Sequence, residues 1–147
     1  MADKDVRTVE ITRLSRGVYE ATNSHGAKLT FGHDNTVMLS PVELLLTAIA
    51  GCSGIDVDFI TGRRAEPSSF KLYASGEKLR DDAGRNHVDN ISVTFDISFP
   101  SGKEGDAARA VLERTVQQSH DRLCSVSQTV ERETPVSVHI VDQESPA

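Results

Sequence analysis

The chain has no tryptophan, and aromatic residues fill only 5% of its 147 positions. Its core must therefore be mainly aliphatic, and with hydrophobic residues at 37% that core is a modest one. A modest core in a chain of single-domain size leaves room for burial shared with a partner subunit. Positive charge is also scarce: the net charge is -6, and no basic run stands out beyond Arg63-Arg64. Sequence-tolerant nucleic-acid binding needs a basic footprint, so that class is set aside. No uninterrupted apolar stretch approaches the roughly 20 residues that span a bilayer. The N-terminus, MADKDVRTVE, is charged where a secretory signal would be apolar. The expectation is a cytoplasmic protein with neither a membrane nor a nucleic acid as partner. Metal and cofactor motifs are missing too. The five histidines, His25, His33, His87, His120 and His139, show no zinc-like arrangement. His120 and Cys124 have i, i+4 spacing, but two ligands do not make a site. No Walker loop, G-x-G-x-x-G or serine elbow is present. No metal and no cofactor are therefore expected.

Cysteine is nearly absent, with only Cys52 and Cys124. In the cytosol structural disulfides are rare, and cysteines that pair are more often redox-active. The elements around them can be read from hydrophobic period and turn residues. VEITRL, GVYEAT and AKLTF read as three short strands joined by polar turns, with GHDNT as a further turn. SPVELLLTAIAGCSGIDVDFITG reads as a long helix. Ser40 is its N-cap, Pro41 its first residue, and Glu43, three residues after Ser40, completes a capping box. The helix is apolar almost all round through Ala50, which implies burial. It turns amphipathic where Asp56 and Asp58 alternate with Val57, Phe59 and Ile60, and Gly62 is a plausible stop. FKLYASGEKL and ISVTFDISF alternate with period two across the turn-rich RDDAGRN. Residues 106–122 read as a second helix capped by Asp106, CSVSQTVER as a short third helix, and PVSVHIV as a closing strand. The order predicts a single α+β domain over 1–147, with an ordered core of 6–141 and frayed ends at 1–4 and 143–147.

The stretch AIAGCSGIDV sets Cys52 between Gly51 and Gly54. Glycine in a helix costs roughly 0.5–1 kcal/mol against alanine. Either another backbone packs very close there, or something must reach the sulfur. A free cysteine is commonly a buried, inert residue, but a broken local rule without evident gain more often marks a functional position. Cys124 falls where one helix ends and another begins. A thiol at a helix N-terminus ionises more readily; the alternative is simply a small residue at a junction. If the two thiols approach, a sulfenic acid on one condenses with the other to a disulfide. Spacing leaves this open, because a bridge needs Cα atoms within about 7 Å. Glu43 is a capping residue first and a candidate orienting group second. Arg13 and Arg16 are candidates for stabilising a thiolate, or else solvated strand charges.

The segment SPVELLLTAIAGCSGIDV resembles the signature of the OsmC/Ohr family of thiol-dependent peroxidases, with Pro41, Glu43, Leu44, Ala48 and Cys52 in the family's places. LCSVSQTV resembles the second signature, carried by Cys124 and Val126. The wording Gly-Cys-Ser-Gly-Ile-Asp-Val is most similar to the YhfA-like branch. The resemblance covers about 6–141. It implies antiparallel sheets around a long central helix carrying Cys52, in an intertwined homodimer with active sites at the subunit interface. It also implies that Cys52 attacks the terminal oxygen of an organic hydroperoxide and becomes a sulfenic acid. Cys124 then closes a disulfide, and a dithiol reductant restores both thiols. Glu43 would orient an arginine beside Cys52. The Gly/Arg-rich or Arg-aromatic context that supplies this arginine in well-characterised branches is not found here; Arg16, before Gly17, is the nearest candidate and Lys28 the next. The alternative is a noncatalytic or thiol-switch homodimer that binds a small hydrophobic ligand, and a third reading is a structural domain with inert thiols.

Overall fold

The computed structural model describes residues 4–33, 37–141 and 144–145. The frayed ends expected at 1–4 and 143–147 fall largely outside these residues, and the expected GHDNT turn partly so. The fold is mixed α+β with antiparallel sheets and one long helix, as expected. The chain forms two compact units: the residues up to Gly51 with Ser69–Ile97, and Cys52–Ser68 with the chain from Ser98 onward.

In the first unit, β1 (Val9–Ser15), β2 (Val18–Asn23) and β3 (Lys28–Gly32) form a three-stranded antiparallel sheet in sequence order. Tyr19 faces Phe31 across β2 and β3, and their rings stack with centroids 5.8 Å apart. A second, two-stranded sheet joins β4 (Ser69–Arg80) to β5 (Asn86–Ser98). Its turn is held by Asp81, whose carboxylate accepts from the Arg85 backbone N–H and guanidinium at 2.9 and 2.8 Å. The expected alternation is present, with Ile91, Val93, Phe95 and Ile97 on the less exposed face. It slips by one residue between Val88 and Ile91, where Asn90 adopts a left-handed φ of 52°. Against this hairpin lies the first half of the long helix. A Cβ on Gly76 would meet Val88 at 2.8 Å and Leu46 at 3.3 Å, so glycine is what lets the helix close on the strands.

That helix, α1 (Pro41–Gly62), begins and ends where the sequence indicates. The capping box is formed: Ser40 N–H donates to Glu43 Oε1 at 2.9 Å, and Glu43 N–H donates to Ser40 Oγ at 3.3 Å. By length and composition alone α1 is apolar enough to cross a bilayer, although Glu43, Asp56 and Asp58 interrupt its apolar run.

In the second unit, α2 is Lys103–Gln118 rather than a helix capped by Asp106. Gly102 is the N-cap at φ 114°, a conformation that favours glycine. Asp106 sits in the first turn and pairs with Arg109, whose guanidinium also donates to Phe99 O at 2.9 Å. The helix expected to reach residue 122 instead widens after Gln118 into a π-turn, Ser119–Leu123. The turn closes with Cys124 N–H donating to Ser119 O at 2.9 Å. Then comes α3, Ser125–Val130, with Cys124 as its N-cap. The expected closing strand PVSVHIV is not formed. Residues 133–141 have no regular structure, and Val136, Val138 and Ile140 are 86%, 81% and 88% exposed. The alternation favours an extended segment, but among the described residues no strand pairs with it, and an unpaired strand has no ladder to hold it.

Candidate functional site: the thiol pair

The two cysteines, remote in sequence, meet in the second unit. Both are free thiols; Cys52 is half-buried on α1 and Cys124 is fully buried at the π-turn–α3 junction. The two sulfurs lie close enough to act on each other's ionisation. Ser127 N–H, in the first turn of α3, donates to Cys124 Sγ at 3.3 Å.

These surroundings push the thiols in opposite directions. Burial raises the Cys52 thiol above its ordinary value; the Val126 amide opposes this, while Cys124 and the Asp56 carboxylate add to it. Burial also works against ionising Cys124, but the Ser127 hydroxyl and amide, the Cys52 thiol and the Ser53 hydroxyl outweigh it and hold Cys124 below the ordinary range. The one charged group among the main influences on Cys52 is a carboxylate, not a cation.

One contact ties the two sulfur-bearing segments together. Ser119 Oγ donates to Asp56 Oδ2 at 2.7 Å, while the Ser119 carbonyl accepts from Cys124 N–H. Asp56 lies one turn beyond Cys52 on the same face of α1. Ser119, fully buried, thus braces the Cys52 helix against the backbone of Cys124. The sequence reading placed Ser119 only within the second helix and Asp56 only on an amphipathic face. The i, i+4 spacing of Cys52 and Asp56 was the available signal.

The other expected site residues lie in the first unit. Glu43 is engaged in the cap of α1. Arg16 occupies the exposed turn between β1 and β2, and Arg13 is exposed on β1. Lys28 pairs with Glu20 at 2.9 Å. Of the two alternatives raised for the glycines beside Cys52, close packing is not met at Gly51 among the described residues, since a Cβ there would meet nothing within 4 Å. It opens instead on a cavity of about 420 Å³ in the first unit, lined mainly by Leu39, Leu46, Ala50, Leu72 and Ala74, with Glu43 and Thr47 as its polar members. Among the described residues no group of three or more His, Cys, Asp or Glu is gathered to hold a metal.

The family model described as OsmC-like protein matches residues 32–139, a span that contains Glu43, Cys52 and Cys124 and excludes Arg16. The chain belongs to the OsmC-like protein family. An uncharacterized protein of Mycobacterium tuberculosis is 26% identical over 134 residues, covering 90% of this OsmC-like chain and 94% of the relative. Among solved structures, an OsmC-like protein of unknown function from Vibrio cholerae superposes with a TM-score of 0.71 at 15% identity, over 88% of this chain and 96% of that one. The organic hydroperoxide resistance protein OhrB of Bacillus subtilis gives 0.54 at 16% identity, over 88% and 93%. At such identities the two structures establish the OsmC-like fold.

Proposed function

We propose that the protein is a thiol-dependent peroxidase that reduces organic hydroperoxides. The observation that carries this reading is that Cys52 and Cys124, both free thiols and one of them half-buried, lie close enough to act on each other's ionisation. Cys52 sulfur forms a bond to the terminal oxygen of the hydroperoxide as the O–O bond breaks. The alcohol leaves with the thiol proton, and Cys52 becomes a sulfenic acid. Cys124 attacks that sulfur, water leaves, and a dithiol reductant reopens the disulfide. The preference for organic over hydrogen peroxide follows from the apolar make-up of α1. Family membership, with a hydroperoxide resistance protein among the structural neighbours, supports the reaction class. We take the working unit to be a cytoplasmic homodimer of one functional domain per chain. The family match runs through both units, and large apolar side chains stand exposed in each, such as Val9 and Ile11 in the first and Phe59 and Ile140 in the second.

The test is consumption of cumene hydroperoxide by reduced protein, with free thiols counted before and after. Wild type is expected to lose two thiols per chain as peroxide is consumed, and Cys52→Ser to do neither. Unchanged thiols with unconsumed peroxide would remove the activity. The second reading, a noncatalytic dimer binding a small hydrophobic ligand, is favoured by the apolar cavity beside Gly51. It expects a ligand affinity that survives Cys52→Ser and falls when Gly51→Leu fills the space.

A further inference from the structure

Ser119 is a small residue with every polar group in use. Its N–H donates back into α2 at Thr115 O, its carbonyl accepts from Cys124 N–H at 2.9 Å, and its hydroxyl donates to Asp56 Oδ2 at 2.7 Å. Ser119 and Cys124 are both fully buried, and Asp56 is half-buried. The two bonds that leave α2 end on the segments that carry the thiols. The π-turn makes this possible. In an α-helical continuation Cys124 N–H would turn to the His120 carbonyl, four residues back. The wider turn gives that donor to Ser119 and leaves the His120 and Asp121 carbonyls to Gln128 Nε2, each at 3.0 Å. Such turns are rare and concentrate at functional sites. Alanine at position 119 with an apolar residue at 56 would pack this junction without taking a hydroxyl or a carboxylate from water. What the bond holds explains why both are there.

We propose that Ser119 and Asp56 are positioning residues of the thiol pair, their hydrogen bond holding the Cys52 stretch of α1 in register with the backbone of Cys124 so that the two sulfurs close a disulfide. Cys52 and Asp56 share one face of α1, a turn apart, so fixing Asp56 also fixes the rotation and height of Cys52. Cys124 is fixed from the other side, through its own N–H on Ser119 O. A disulfide tolerates little error, because it needs Cα atoms within about 7 Å and a narrow range of dihedral angles. A helix rolled or slid by part of a turn would lose that geometry. The proposal deepens the peroxidase reading and rests on it only for the natural oxidant.

In the peroxidase cycle this register acts on the second step. Cys124 sulfur attacks the sulfur of Cys52–SOH, the S–S bond forms as the S–O bond breaks, and the hydroxyl leaves as water with the Cys124 proton. Glutathione disulfide reaches the same product without peroxide. One cysteine sulfur attacks it, releasing one glutathione and leaving a mixed disulfide; the second cysteine then attacks the protein sulfur and releases the other glutathione. Two electrons and the two thiol protons of the protein end on the two glutathiones. The equilibrium constant of this exchange is the effective concentration of one protein thiol at the other. A pair held in register raises it, and a pair free to drift lowers it.

The test equilibrates the full chain with mixtures of glutathione and glutathione disulfide in the absence of air, and counts the intrachain disulfide by mass after thiol blocking. Wild type, Ser119→Ala, Asp56→Ala and the double variant are compared, with the urea midpoint of each measured beside it. Wild type is expected to form the Cys52–Cys124 disulfide. Ser119→Ala should lower the effective concentration at least about tenfold, within the worth of one hydrogen bond to a charged group. Asp56→Ala should lower it alike, and the double variant should fall no further than either single one, because both remove the same bond. Asp56→Asn, which keeps an oxygen for the Ser119 hydroxyl, should recover most of the loss. If Ser119→Ala fails to fold by circular dichroism, Asp56→Ala is read by the same criterion. A lower urea midpoint with an unmoved glutathione equilibrium overturns the proposal, since it leaves Ser119 a purely structural part. Losses that multiply in the double variant, or a wild type that forms no intrachain disulfide, overturn it too. If cumene hydroperoxide is not consumed, the peroxidase reading fails while the glutathione equilibrium still decides the positioning role.

Discussion

Asp56 places a carboxylate on the same helical face as Cys52, one turn away, and raises the cost of a thiolate there. Replacing it with asparagine removes the charge while leaving an oxygen for the Ser119 hydroxyl. The sign is fixed: without the nearby anion the Cys52 thiol becomes more acidic, so its alkylation by iodoacetamide should set in at lower pH than in wild type. Losing a charged acceptor at Ser119 should also cost about 1–2 kcal/mol of stability, read by urea denaturation. A profile that stays put or moves upward would mean that Asp56 does not face the sulfur in solution. At this scale the sequence was uneven. Cys52 and Cys124 stood out because cysteine is nearly absent from the chain and both sit in recognisable motifs. Ser53, Ser119 and Ser127 did not, because serine is common and their roles depend on contacts across the fold. Ser119 and Asp56 are 63 positions apart. The opposite directions in which the two thiols are pushed were equally hidden, since each depends on the groups around its sulfur.

Local devices are easiest to read at the scale of the element, and the start of α1 is the clearest case. The capping box needs only Ser40, Pro41 and Glu43, all within four residues, and it forms as written. Ser40→Ala should therefore destabilise the protein by about 1 kcal/mol, the usual loss for a cap, measured as a lower urea midpoint. Glu43→Gln keeps an acceptor for Ser40 N–H and should cost clearly less. Equal losses would indicate a further task for the Glu43 charge. The second helix shows where local reading stops. Asp106 is a good capping residue by type, yet the chain turns in at Gly102, whose positive φ starts the helix early, with Arg109 reaching back to Phe99 O. The π-turn after Gln118 carries no hydrophobic period that would distinguish it from the α-helix it extends. Its wider hydrogen bond nevertheless brings Cys124 N–H onto Ser119 O.

For the whole molecule, the single chain leaves apolar surface that a modest aliphatic core does not explain. Val9, Ile11 and Leu14 on β1 are 67%, 54% and 54% exposed, and Ile55 and Phe59 on α1 are 58% and 70% exposed. Val136, Val138 and Ile140 keep the alternation of a strand, and among the described residues no strand pairs with them. Alternation was legible in the sequence; the partner that would use it was not, because period two says which face is apolar and nothing about what lies beside it. A second copy of the chain is the occupant that the proposed homodimer supplies, and pairing of 136–141 across it would satisfy both the apolar face and the idle backbone groups. Sedimentation equilibrium of wild type should therefore give a dimer. Val138→Lys combined with Ile140→Lys buries charge at such an interface and should weaken the dimer at least about tenfold, equivalent to about 1.4 kcal/mol. The thiol pair, formed within one chain, should still titrate as in wild type. If the variant remains as tightly dimeric as wild type, the C-terminal segment lies outside the interface and the exposed faces of β1 and α1 are left to carry it.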